Sequence, residues 1–193
     1  MLAFSRLTSI LFFVLSLSFL TCAFPTAPQT NALTTRGTSA DLLKICADLE
    51  VDVKAKVDAI VIADVKALVD VEAKVIALVE VVVVATKAII ALGPNIDIDA
   101  DVKAQVAVHI AAVIKLIVNL CITLVAKLGV TVLLVLLGKI DICLQLLLVN
   151  LAVVVEGIVA VIAKLVVDLT VNVFVNLQLS LSLKVLGLVG LSL

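Results

Sequence analysis

The sequence predicts an all-α protein: a long antiparallel helical hairpin followed by a very hydrophobic helical C-terminal half. Three observations point there. Residues 39–92 contain neither Gly nor Pro, a run far too long for one strand. Gly93-Pro94 then supplies a strong helix stop. Beyond it, Asp101, Gln105, His109, Ala112, Lys115, Asn119, Thr123 and Lys127 fall on one stripe, with Val, Ile, Leu and Ala around most of the remaining circumference.

The first long stretch carries two periodicities. Its charges from Asp48 to Glu80 all sit at even positions, which is strand-like. Helical winding also gathers Asp41, Lys44, Asp48, Asp52, Lys56, Lys66, Asp70, Lys74 and Glu80 towards one side, with Glu50, Lys54, Asp58, Asp64 and Glu72 off the stripe. Length, alanine content and the missing breakers favour one helix over 39–92, against the β-branched valines. Ser39 is the expected N-cap, with Asp41 in the first turn. Residues 95–99 connect to a second helix over 100–137, where Gly129 and Gly138 are the candidate stops, and Asp97 or Asp99 caps its start. A short connection makes the two helices antiparallel neighbours. With the turn at residues 94–95, Cys46 faces Cys143, and a Cys46–Cys143 disulfide is the expected pairing.

Upstream, residues 1–23 read as a signal peptide: Arg6, the apolar run ILFFVLSLSFL, and small residues around Ala23. Residues 24–38 form a Pro/Thr-rich linker, and residues 39–193 a single helical domain. Secretion permits disulfides, but the three cysteines beyond Cys22 are too few for a disulfide-dense scaffold.

Downstream of Gly129 the charges thin out, and VTVLLVLL, LQLLLVNLAVVV and GIVAVIAKLVV dominate residues 138–193 and their approach. The tail from 170 to 185 alternates polar and apolar residues, a strand-like pattern whose state the sequence leaves open. The motif DVKA, at 52, 64 and 101, recurs at irregular spacing and does not define a solenoid.

Composition limits the function classes. Hydrophobic residues make up 64% of 193, mean hydropathy is +1.39, and soluble domains average about 45–50% apolar. Such an excess belongs in an interface, an oligomer or a membrane. A net charge of −1 offers no basic face for nucleic acid. Aromatics are 3%, without Trp or Tyr. His109 is the only histidine, and no hydrolase, zinc or phosphate-loop motif is present. Asp97-x-Asp99-x-Asp101 begins like a calcium loop, but Val102 and Val108 occupy the positions that need Gly and Glu. The expectation is no catalytic, cofactor or metal site, and no enzyme.

Signal peptide, Pro/Thr-rich leader (FPTAPQT), charged helical half and apolar C-terminal half together resemble the small secreted matrix proteins of mushroom-forming fungi. That resemblance lies in layout, and no site residue is carried over from it. It implies a role at aerial hyphae and on hydrophobic surfaces, beside hydrophobins. The expected function is a secreted, cell-wall-associated structural protein that is surface-active or self-associating, with itself, hydrophobic surfaces, cell wall or lipid as partners. The alternatives are a lipid-binding helical bundle and a multi-span membrane protein of the secretory pathway.

Overall fold

Thr38, not Ser39, caps the first helix. Its hydroxyl accepts the Asp41 N–H at 3.2 Å, while the Asp41 carboxylate accepts the Thr38 N–H at 2.9 Å and the Thr38 hydroxyl at 2.7 Å. This reciprocal cap satisfies donors that a helix start leaves open. The hydroxyl bond first, and the N–H bond second, hold the Asp41 carboxyl below its ordinary range. The computed structural model describes residues 38–62, 68–167, 173, 176, 177 and 179–187. The signal peptide and all of the linker but Thr38 lie outside the described residues.

Six helices are described: α1 (Ser39–Ile62), α2 (Leu68–Ala91), α3 (Ala100–Leu128), α4 (Val130–Val154), α5 (Ile158–Leu165) and α6 (Ser180–Val185). Among the described residues there is no strand, and the all-α class holds.

The boundaries differ from the sequence expectation in two places. First, the 39–92 stretch is not one rod. α1 and α2 fold back on each other: Lys74 Nζ donates to the Ala59 carbonyl at 3.4 Å, and Asp48, Asp52 and Lys56 share a groove with Ala85, Val81 and Ala77. Both helices bury a seam of the same spacing, Leu42, Cys46, Leu49, Val53, Val57 and Ile60 in α1, and Val71, Val75, Leu78, Val82, Thr86 and Ile89 in α2. Folding back lets each seam cover the other, whereas a straight rod of about 80 Å would leave most of both without a partner. Second, the next helix stops at Leu128 rather than 137. Gly129 takes φ 83° and ψ 151°, a backbone region reserved for glycine, and α4 starts at the following residue.

The four long helices therefore form two hairpins, α1–α2 and α3–α4, laid side by side. α1 packs on α2 and on α3, and α4 packs on α2 and on α3. α1 and α4 occupy opposite corners, as do α2 and α3. The sequence expectation that the helices flanking Gly93-Pro94 are neighbours is overturned: α2 and α3 lie across a diagonal. Residues 92–99 must cross the end of the bundle to join them, and hydrogen bonds pin that crossing. Asn95 N–H donates to the Val153 carbonyl at 3.1 Å and Ile96 N–H to the Val154 carbonyl at 2.9 Å. The last carbonyls of α4, which have no partner within their own helix, thus find one in the strap. Lys103 Nζ adds a bond to the Glu156 carbonyl. Asp99 sits at the N-cap of α3 with extended backbone, but its side chain makes no capping bond.

α5 packs mainly on α3, and α6 on α4. The alternating tail holds no strand where described: Ser180–Val185 is α6, residues 173 and 176 are helical too, and 177 is a turn. Strand alternation would turn Ser182 outward, yet it is 1% exposed. A tertiary contact to α4, described below, overrides the local pattern.

A side chain at Gly129 meets no neighbour but must hold a left-handed backbone. Gly129→Ala is therefore expected to lower unfolding stability by about 1–3 kcal/mol, measured by urea titration. Thr38→Ala, which removes the α1 cap, should cost about 1 kcal/mol in the same assay.

Candidate functional site

Cys46 lies on α1, Cys121 on α3 and Cys143 on α4; all three are buried free thiols. The expected Cys46–Cys143 bridge is not formed. Its register assumed a single reversal at residues 94–95, whereas the chain reverses again at Gly129 and between α1 and α2, which leaves Cys46 and Cys143 on diagonal helices. Burial pushes each thiol up to about 12, assisted at Cys121 by Cys143 and at Cys143 by the Asp141 charge. Thiols that stay protonated at neutral pH are poor nucleophiles.

His109 does lie on the polar stripe of α3, but it is not simply solvated. Its Nδ1 is 2.6 Å from the Glu50 carboxylate of α1, with both side chains about one-third exposed, at 31% and 33%. Glu50, off the α1 stripe in sequence, is thus placed to meet the neighbouring helix. At that exposure the pair contributes about 0.5 kcal/mol. Asp97, Asp99 and Asp101 are all exposed, and among the described residues no three His, Cys, Asp or Glu side chains gather around a metal-sized point.

Asp141 is the charged residue that sequence reasoning passed over. It is 3% exposed in the middle of α4. Its carboxylate accepts the Leu181 N–H at 2.8 Å, the Ser182 N–H at 2.8 Å and the Ser182 hydroxyl at 2.6 Å. A buried charge persists where such donors surround it, so this cluster fastens the tail to the bundle.

The remaining feature is a surface. α4 has two charged residues, Lys139 and Asp141, and Asp141 is buried. Leu133, Leu137, Ile140, Leu144, Leu147, Leu151 and Val154 form its core seam. On the opposite side Val132, Val135, Ile142, Leu146, Val149 and Val153 stand exposed, from 42% at Val149 to 72% at Val135. With Lys139 between Val135 and Ile142, these outer positions advance by three and four residues alternately, the spacing of a coiled-coil seam. Diagonally across the bundle, α1 shows the opposite character, with Lys44, Asp48, Asp52, Lys54, Lys56 and Asp58 all exposed. The bundle has one charged corner and one apolar corner. The outer seam was readable in the sequence as a second heptad within VTVLLVLL and LQLLLVNLAVVV, but which heptad faces the core depends on the neighbours.

α3 and α4 are also long and apolar enough to cross a membrane, though half of each qualifying window is buried inside the bundle.

Comparison with known protein families, with curated proteins and with solved structures finds no match to this chain.

Two outcomes are expected. The buried thiols should resist an aromatic disulfide reagent at pH 8 and react on unfolding, as counted by absorbance. A raised thiol pKa means that the unfolded chain loses protons first, so thiol-linked stability is complete below about pH 9 and falls as pH rises towards 12. Asp141→Ala strands the donors of Leu181 and Ser182 and should cost about 2–4 kcal/mol, with amide exchange at both residues accelerating before the core opens.

Proposed function

We propose that this is a non-enzymatic, secreted structural protein that acts through its surface, adsorbing at hydrophobic interfaces or associating with itself. The observation that carries the reading is the exposed apolar seam of α4, set diagonally across from the charged α1. A body with one apolar and one charged corner orients at a boundary between water and an apolar phase, because turning the seam away from water is favourable by about 25 cal/mol per Å². The layout of the sequence, with its N-terminal apolar run and Pro/Thr-rich leader, supports delivery outside the cell. Cell wall, lipid or air–water boundaries are the proposed settings, in line with the resemblance to fungal matrix proteins.

The alternative of a lipid-carrying bundle has less support, since Val53, Leu78, Ile110, Ile114, Leu144 and Leu147 fill the space between the helices. A second reading rests on α3 and α4, joined by Gly129 alone, as a membrane-inserted hairpin. Carbonate extraction of the expressed chain separates the two: an extracellular structural protein is released, a spanning hairpin is retained.

Purified protein is expected to lower the surface tension of water or to form concentration-dependent oligomers. Ile142→Glu, on the exposed seam, should weaken whichever is observed while circular dichroism stays helical. A chain that does neither would sink the reading.

A further inference from the structure

The outer seam of α4 has a repeat that a flat apolar surface does not require and a second helix does. Val132, Val135, Lys139, Ile142, Leu146, Val149 and Val153 follow heptad positions a and d without a break. Lipid or air rewards exposed apolar area anywhere on the helix; knobs-into-holes packing rewards this spacing. We propose that the partner is a second copy of the chain, joined through an antiparallel α4–α4 pair about a twofold axis. This rests on the self-association reading above and fixes its surface, partner and register.

Three arguments select that arrangement. The first is area. The six apolar seam residues and the Lys139 stem, with Gln145 and Asn150 on the two flanks, present on the order of 600 Å² per copy, in the range of the ~800 Å² that each partner buries in a specific interface.

The second is charge. Lys139 is the only charged side chain exposed on α4. A parallel, in-register pair would set Lys139 against the Lys139 of the second copy. In an antiparallel pair, position a meets position d, and two registers bring most of the seam together. One sets Lys139 against Ile142 of the second copy, which again draws the two ammonium groups together near the axis. The other sets Val135 against Val153, Ile142 against Leu146 and Lys139 against Val149, and separates the lysines by about 15 Å along the axis. A single lysine at position a specifies orientation and register in this way.

The third is polar satisfaction. In the favoured register each Lys139 lies beside Asn150 of the second copy. Asn150 is half-buried on the flank of α4, and its Nδ2 already donates to the Leu146 carbonyl at 2.7 Å. That bond leaves the Asn150 side-chain oxygen available to an ammonium, and a closed twofold pair satisfies both copies equally.

Sedimentation of the full chain across a concentration series reads the assembly, and oxidative cross-linking reads the register. A monomer–dimer equilibrium is expected, with Ile142→Glu raising the dissociation constant at least tenfold at unchanged helicity. A mixture of Val135→Cys and Val153→Cys chains should form a disulfide-linked heterodimer. Neither variant should cross-link alone, because equivalent positions lie about 27 Å apart along the axis; unmodified chain, with its buried thiols, is the background. Self-cross-linking of Val135→Cys would make the helices parallel and overturn the proposal. So would a chain that stays monomeric but adsorbs at the air–water surface or on phosphatidylcholine vesicles through the Ile142 face; the functional reading then stands without the dimer. A monomer that adsorbs nowhere removes both.

Discussion

A helix at the corner of a bundle can turn only part of its circumference away from water. α4 occupies such a corner, and its sequence is apolar nearly all the way round. The rest of the molecule follows from that mismatch. The core seam is satisfied by α2 and α3, Asp141 is covered by α6, and the outer seam remains. α1 and α3 meet the corner constraint more conventionally. α1 faces water with charges, and α3, hemmed in by α1, α4 and α5, buries a broad arc from Val106 to Leu124 and keeps a polar strip outside.

Much of this architecture was legible from residue order alone. The Gly93-Pro94 stop, the polar stripe of α3 and the helical class all follow from local chemistry, and Gly129 was already marked as a candidate stop. The break between α1 and α2 was not legible, since residues 39–92 contain no breaker; two seams that need each other decide it. The disulfide expectation failed for the same reason, because a register is only as good as the turn it is counted from. The tail misled in another way. Its alternation is real, but Ser182 is polar for the sake of Asp141, forty-one residues earlier, and not for solvent.

The polar groups within and between the helices are each accounted for. Thr86 returns its hydroxyl to the Val82 carbonyl at 2.7 Å, which removes its cost within the α2 seam. Glu50 and His109 mark the contact between parallel helices at a particular height. Asp141 and Ser182 decide where α6 docks. In a core made of interchangeable Val, Leu and Ile, which tolerates sliding and repacking, these few directional contacts fix one alignment among several of similar apolar fit.

The strap of residues 92–99 gives the two ends of the bundle different mechanical characters. At the strapped end, amides of the strap itself are bonded to the last carbonyls of α4; at the opposite end, Gly129 is a single-residue joint between α3 and α4. Prised apart, the hairpins would swing about the strap, as the covers of a book swing about its spine.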